Sequence, residues 1–145
     1  MDIETQIVKE YKEFMISKSI FGELLENNKS ILPSSPQSFS KFPTIIIREV
    51  SNTSNTNATT LERIEYADNL LYQVDIYASK DITIGNVKYS SRTVVNELKD
   101  LTFEFFRKIG FNRETGSRRD TLDKSIQSYI AVFSGRITSW NARLN

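Results

Sequence analysis

The sequence predicts an α+β fold, in which a mainly antiparallel sheet of four to five strands has helices packed on one face. Leu70–Ser79 alternates between two sides, which is the pattern of a half-buried β-strand, and its leucine, aromatic and β-branched residues suit a central strand. Residues 94–109 carry one apolar helical stripe that can cover this strand. The elements follow in the order α-β-β-β-α-β-β, which lacks the alternation of strands and helices that is typical of a parallel sheet.

Length and composition are typical of one globular domain, which we assign to residues 1–145. Within it we expect N-terminal helices over residues 2–28, the sheet and main helix over 44–138, and a short tail over 139–145. The formal net charge is only +1. Because a general nucleic-acid binder is usually more basic, bulk affinity for DNA or RNA is not favoured.

Catalytic signatures are missing from the sequence. The chain contains no cysteine and no histidine, which excludes disulfides, thiolate metal sites and the commonest general base. It also lacks the glycine-rich phosphate loops and the serine nucleophile elbow. We therefore expect no enzyme activity, cofactor or metal ion. No apolar run approaches the roughly 20 residues that cross a bilayer, and the N-terminus lacks a secretory-signal pattern. We expect no membrane partner and assembly in a cytoplasm.

The N-terminal third predicts two helices and a connector. The first helix covers residues 2–15, where apolar residues recur at helical spacing. The second runs from Ser19, a residue type that favours helix N-caps, to Asn27. All three prolines lie between residues 29 and 43, which we interpret as irregular.

The segment before the central strand predicts two further strands. Thr44–Val50 is rich in β-branched residues, and Leu61–Ala67 has one thinly apolar face that suits an edge strand. The Asp-Asn pair at 68–69 predicts a tight hairpin turn into Leu70–Ser79. Between the two strands, the polar residues 51–60 are either a plain exposed loop or a loop that orders only against a partner.

The C-terminal half predicts a connection with a turn at Gly85-Asn86, then a long helix. Ser90 or Ser91 is the expected N-cap, and Gly110 the expected stop. Phe111–Arg118 predicts a short strand leading into a turn at Thr115-Gly116. Lys124–Thr138 follows as a long strand with apolar groups on both sides, so it is central or its outer face meets a partner.

Carboxylates are the remaining candidates for catalysis. Asp75 lies within the central strand. We favour an ordinary place for it, on the exposed face of a half-open sheet or in a cross-strand pair with a base. Two further groups of acids are close in sequence and more typical of solvated or ion-paired residues: Glu62, Glu65 and Asp68, and Asp120 and Asp123.

The segment from Arg107 to Arg119 is locally basic. Three interpretations of it stay open: contact with nucleic-acid phosphates, pairing with an acidic patch on an identical neighbour, and a solvated turn. No interleaved aromatic residues support the first.

Four segments together resemble one protein family. They are the FPTI segment at residues 42–45, LLYQVDIYAS at 70–79, GFNR at 110–113 after the long helix, and IQSYIAVFSGRI at 126–137. This arrangement, which covers most of residues 40–138, resembles the tail terminator, or tail completion, proteins of long-tailed bacteriophages. YQVDIY and the helix leading to GF followed by basic residues are its most specific parts.

The resemblance implies a structural protein of the virion. Such proteins form a ring, usually of six copies, on the head-proximal end of the tail tube, where they stop its growth and present a surface for joining the head. The implied partners are further copies of the chain, the tail tube protein and the head–tail connector or stopper protein. The expected ring or axial contacts are the sheet edges, the 51–60 loop and the basic turn at Arg113–Arg119. The residues expected to make them are Asn52, Asn55, Asn57, Arg113, Arg118 and Arg119.

Other interpretations remain. Because DNA passes through such a ring, some of these arginines could instead face the lumen. The nearest alternative function is another connector component, such as a head-completion or stopper protein. A small DNA-binding module is the more distant one.

Overall fold

The fold is given by a computed structural model that describes residues 3–33, 43–53, 69–79, 81–118 and 126–136. These residues form three helices and seven strands, and the α+β class is confirmed. The elements are α1 (Ile3–Lys18), α2 (Gly22–Asn27), β1 (Ile31–Leu32), β2 (Thr44–Thr53), β3 (Asn69–Ala78), β4 (Ile82–Ile84), β5 (Val87–Tyr89), α3 (Ser91–Lys108), β6 (Asn112–Arg118) and β7 (Gln127–Arg136).

Five strands make the main sheet, in the order β1-β2-β3-β7-β6. The expected central position of the Leu70–Ser79 strand is confirmed, because β3 pairs with β2 on one side and with β7 on the other. β7 is central too, between β3 and β6. The sheet is mixed, since the two-residue strand β1, which the sequence did not predict, runs parallel to β2 while the other three pairs are antiparallel.

The predicted tight hairpin at residues 68–69 is wrong. It would require residues 61–67 to pair with β3, but β2 and β7 occupy the two edges of that strand from Asn69 to Tyr77. Residues 61–67 themselves lie outside the described part of the chain. β2 also extends to Thr53, three residues past its predicted end at Val50, because Asn52 and Thr53 pair with the start of β3.

The boundaries of α3 follow the expected capping residues. The Ser90 hydroxyl accepts a hydrogen bond from the Thr93 amide at 3.2 Å, so Ser90 is the N-cap. At the other end, Gly110 has a positive φ of 87° and its amide donates to the Arg107 carbonyl at 3.1 Å. A left-handed glycine at this position ends the helix, as predicted.

Ser19 has a different role from the predicted one. It does not cap α2, whose N-cap is Phe21 and has no side-chain cap. Instead, its hydroxyl accepts a hydrogen bond from the Phe21 amide and donates one to Glu97 of α3 at 2.9 Å. Burial raises the pKa of Glu97, an effect that the bond from Ser19 partly offsets. The turn between α1 and α2 is thereby fixed to α3.

The hydrophobic core lies between the sheet and the helices. Phe106 of α3 stacks on Phe133 of β7, with ring centroids 4.2 Å apart and planes 7° apart. Tyr11 of α1 packs edge-on against Phe105 and donates its hydroxyl to Thr102 at 2.7 Å, since Thr102 donates its own proton to the Leu98 carbonyl. The side of β3 that faces these helices is fully buried: Leu70, Tyr72, Val74, Ile76 and Ala78.

Outside the core, two local features of the chain differ from the sequence prediction. The connection after β3 contains the expected turn at Gly85-Asn86, but its flanks pair as a separate two-stranded hairpin, β4–β5. The predicted turn at Thr115-Gly116 is wrong, because β6 continues through both residues in register with β7. The irregularity is a bulge between Arg113 and Thr115.

Candidate assembly interface

Strand β6 is an exposed edge of the main sheet. It pairs with β7 on one side, and no strand in the described part of the chain pairs with its other side. The side chains from Asn112 to Gly116 are all exposed. Such an edge presents backbone donors and acceptors that can pair with another chain, while charges and bulges limit indiscriminate pairing. β6 has both, since it carries Arg113 and Glu114 at its bulge.

The guanidinium of Arg113 lies over an aromatic ring beside this edge. Its guanidinium carbon is 4.6 Å from the centroid of the Phe103 ring, and the ammonium of Lys99 is 6.0 Å from the same ring. Lys99 is also 5.3 Å from the Tyr129 ring. Cations over aromatic faces are held in place without losing their outward hydrogen-bond donors. Arg113 is therefore an oriented, exposed cation.

The sequence spacing and the strand register build this arrangement. Lys99 and Phe103 are four residues apart on α3, so they lie on the same side of the helix. Phe103 packs edge-on against Tyr129 and Phe133 of β7, at centroid distances of 5.9 and 5.8 Å. In the β6–β7 register, Arg113 is directly opposite Phe133. The bulge and the register together place the guanidinium over α3.

The carboxylates near the edge leave Arg113 available. Glu114, the next residue in the chain, accepts a hydrogen bond from the Ser134 hydroxyl of β7. Asp100 pairs with Lys99 at 3.6 Å. Among the described residues no carboxylate forms an ion pair with Arg113, so its donors are free for an acceptor on another molecule. A carboxylate or a phosphate would suit its planar donor set.

Gly116 is explained by packing rather than by a turn. A Cβ atom at this position would lie 2.5 Å from the Tyr129 hydroxyl, which crosses β6 at this point. A larger residue here would force the Tyr129 ring to shift from its place over the strand. The sequence signal that suggested a turn reflects a cross-strand contact with an aromatic residue on β7.

The predicted interface residues do not form one cluster. Arg113 is paired with Phe133, whereas the backbone of Arg118 is paired with Tyr129 at the other end of β6. Asn52 belongs to β2, which β3 and β7 separate from β6. Asn55, Asn57 and Arg119 lie outside the described residues. The segment from Arg113 to Arg118 is thus part of an extended edge strand, which confirms the predicted strand Phe111–Arg118, whereas the interpretation of this basic segment as a turn is wrong.

Asp75 is buried, contrary to both of its predicted positions. Its side chain is only 6% exposed, so it does not lie on a solvated face. Its cross-strand neighbours are Ile46 and Ile130, so it is not opposite a base. The Gln73 side-chain amide donates to its carboxylate at 2.9 Å. The other acids considered from the sequence lie outside the described residues.

A groove that sequence reasoning missed runs along α1. One part has a volume of about 600 Å³ and includes Val8 and Lys9. A second part of about 330 Å³ includes Ile16, Leu25 and Ile31. Lys12 and Pro33 line both parts, so the two are adjacent. The larger part is lined mainly by polar and charged residues, Thr5, Lys9, Lys12 and Glu13, whereas the second part adds the apolar residues Ile16, Leu25, Ile31 and Leu32.

The described residues contain no group of three acidic side chains that could hold a metal ion. None of the described helices combines the length and apolar character needed to cross a membrane.

No protein-family model matches the chain, and a search of curated proteins found no match.

Proposed function

We propose that this protein is a tail terminator, a structural protein that forms a ring on the head-proximal end of a bacteriophage tail tube. The observation that carries the proposal is the position of the two strand segments that resemble this family. YQVDIY lies in β3 and SYIAVFSGR lies in β7, and these strands pair with each other over ten residues, from Asn69 to Ala78. The resemblance therefore concerns the centre of the sheet.

The exposed edge strand β6 supports assembly into a ring. A closed ring of identical copies needs a heterologous interface, in which two different surfaces of the chain meet. An edge strand with exposed side chains and an oriented Arg113 is suited to be one of these surfaces, because it offers both backbone pairing and a charge-assisted contact. The second surface would carry a carboxylate that reaches Arg113.

The proposed mechanism is steric. The ring binds the last ring of the tail tube protein and covers the face on which the tube would otherwise continue to grow. Its opposite face then differs from the tube and binds the connector or stopper protein of the filled head. No step requires bond chemistry, and the protein acts in the virion after assembly in the host cytoplasm.

Two measurements test the proposal. Cryo-electron microscopy of particles should locate the chain as a ring, with six copies as the expected number, between the tail tube and the head connector. Deletion of its gene should produce tails of excessive length that do not join heads. A location in the tail tip or capsid lattice would exclude the function, as would normal joined particles after deletion.

The same two measurements distinguish a tail terminator from the nearest alternative, a neighbouring component of the head–tail connector. A head-completion or stopper protein would occupy the head side of the joint. Its loss would leave tails of normal length with unsealed heads, whereas loss of a terminator changes tail length.

The exposed basic residues at the end of α3 favour one further candidate, a DNA-binding module. Arg107 and Lys108 occupy the last turn of α3, and Arg113 follows five residues later. In that case the isolated protein should bind duplex DNA, with an affinity that falls steeply as salt is raised. Affinity that is absent at low salt would exclude this candidate.

A further inference from the structure

Two cations from different elements share one aromatic ring beside the β6 edge. The ammonium of Lys99, from α3, and the guanidinium of Arg113, from β6, lie 6.0 and 4.6 Å from the centroid of the Phe103 ring. Like charges that are held near each other repel. An anion that contacts both groups would offset this repulsion.

Neither cation has a strong carboxylate partner in the described part of the chain. The pair between Lys99 and Asp100 is 3.6 Å long, and the Asp100 side chain is 73% exposed, whereas that of Lys99 is 22% exposed. Ion pairs with such an exposed partner contribute little. Arg113 forms no ion pair there, and Glu114, the next residue, accepts a hydrogen bond from Ser134 instead. An anion from another molecule can therefore bind both cations without displacing a strong contact.

The two cations complement each other as ligands. The ammonium of Lys99 is also 5.3 Å from the centroid of the Tyr129 ring, so aromatic surface replaces part of the water around it. A partly desolvated charge interacts more strongly with an anion than a fully hydrated one. Arg113 is exposed and supplies a planar set of donors. The pair thus combines a point charge in a fixed place with a directional contact.

The neighbouring charges favour a carboxylate over the phosphates of a nucleic acid. In the sequence each of the two cations is followed directly by an acid, at positions 100 and 114. A further carboxylate, Glu104, is exposed on α3. A nucleic-acid strand carries closely spaced negative charges, which these acids would repel. One carboxylate needs only the two cations.

We infer that Lys99 and Arg113 together form a binding site for one carboxylate group, supplied by an acidic side chain of a protein that meets the β6 edge. The guanidinium of Arg113 binds the carboxylate through its planar donors, and the ammonium of Lys99 contributes the second positive charge. The inference rests on the proposed function, in which this edge meets a neighbouring subunit, and it adds the class of the ligand and the second cation.

Nuclear magnetic resonance of the full-length protein tests the site directly. The probe is acetyl-aspartate methylamide, which presents an aspartate side chain, and acetyl-asparagine methylamide is its neutral control. The aspartate probe should shift the side-chain signals of Lys99 and Arg113 along one saturation curve, with an affinity about tenfold above that of the asparagine probe. Equal affinities, or a response of only one of the two cations, would overturn the inference.

Dimethyl phosphate separates the two classes of anion, since it carries one charge, like the aspartate probe, but resembles the backbone of DNA. At equal ionic strength it should bind more weakly, and equal or tighter binding would overturn the assignment to a carboxylate.

Variants of each cation test whether the two act together. Lys99→Met keeps the apolar stem and should weaken binding of the aspartate probe about tenfold, as should Arg113→Ala. Arg92→Ala, at an exposed arginine near the start of α3, is the matched control and should leave the affinity unchanged. Equal weakening in all three variants would show a general charge effect and overturn the site.

Carbodiimide crosslinking of the assembled protein identifies the source of the carboxylate. The reagent joins an amine to a carboxyl group in contact with it, and the water that is lost converts the carbodiimide to a urea. In a mixture of isotope-labelled and unlabelled chains, mass spectrometry should find Lys99 joined to a second copy or to a different protein. Lys88, which pairs with Asp81 of its own chain at 3.4 Å, is the matched control. Joining of Lys99 to Asp100 alone would overturn the inference.

The site and the proposed function can fail separately. If the chain is absent from the tail–head joint but the aspartate probe binds as expected, the function fails and the carboxylate site stands. If the chain forms a ring at the joint but neither the probe nor the crosslinker engages the two cations, the site fails and the function stands.

Discussion

Strands β3 and β7 form the buried centre of the sheet, whereas β6 forms its exposed edge, and the two regions use aromatic residues differently. At the centre, Tyr72 and Phe133 are fully buried beneath Phe106, where they contribute to folding. At the edge, Phe103 is only partly buried and carries Arg113 on its surface. The difference predicts that substitutions at the centre lower stability most, whereas substitutions at the edge lower it least.

The largest effect should come from removing the ring at the centre of the aromatic core. Phe106→Ala should lower the free energy of unfolding by about 3–5 kcal/mol, since the side chain is completely buried and the cavity cannot close fully. Urea denaturation measures the change. Phe103→Ala is the matched control at the edge and should cost less. Equal costs for the two substitutions would contradict the distinction between centre and edge.

The next effect concerns the contact that joins the edge to the centre. Gly116→Ala should lower the free energy of unfolding by about 1–3 kcal/mol, because the new methyl group would overlap the Tyr129 hydroxyl. In a Tyr129→Phe background the cost should fall, since the nearest atom is gone. A double-mutant cycle in urea measures this coupling. A coupling energy of zero would show that the cost of Gly116→Ala does not arise from the Tyr129 hydroxyl, and Thr115→Ser provides a control for the strand itself.

These two sites also show what the sequence could and could not predict. Alternation within ten residues was sufficient to place β3 at the centre, because strand periodicity is a local property. Gly116 was misread as a turn residue because the side chain that packs against it, Tyr129, is on another strand. Asp75 was misplaced because its exposure and its cross-strand partners, Ile46 and Ile130, depend on strands distant in the sequence. The two-residue strand β1 is too short to show a period.

The candidate interface was predictable to a similar extent. Arg113 was identified from the local excess of basic residues, but the ring that supports it depends on the register between β6 and β7 and on the position of α3. The groove along α1 could not be read from the sequence at all, because it joins residues of α1, α2 and β1. Local patterns predict elements, and the site arises from how the elements meet.

A smaller loss of stability is expected from breaking the hydrogen bond between Tyr11 of α1 and Thr102 of α3, and its size should depend on which partner is replaced. Tyr11→Phe should lower the free energy of unfolding by about 0.5–1.5 kcal/mol, because Thr102 keeps its bond to the Leu98 carbonyl. Thr102→Val should cost more, about 1–3 kcal/mol, because it leaves the buried Tyr11 hydroxyl without its acceptor. Urea denaturation of both variants measures the order, and the opposite order would show that another group accepts from Tyr11.

The smallest effect on stability should come from the edge cation. Arg113→Ala should lower the free energy of unfolding by only about 0.5–1 kcal/mol, which is typical of an exposed cation–aromatic contact. If the edge serves assembly, the same variant should nevertheless reduce ring formation or head joining strongly. Arg92→Ala, an exposed arginine at the start of α3, is the matched control and should change neither property.

Arg113→Lys sharpens the result, because lysine keeps the charge but loses the planar donor set of the guanidinium that lies over Phe103. Assembly that fails with alanine and is only partly restored by lysine would indicate a directional contact with a carboxylate or phosphate. Full restoration by lysine would indicate that charge alone matters. Normal assembly of Arg113→Ala would remove this residue from the interface, and the comparison between centre and edge would then rest on the backbone of β6 alone.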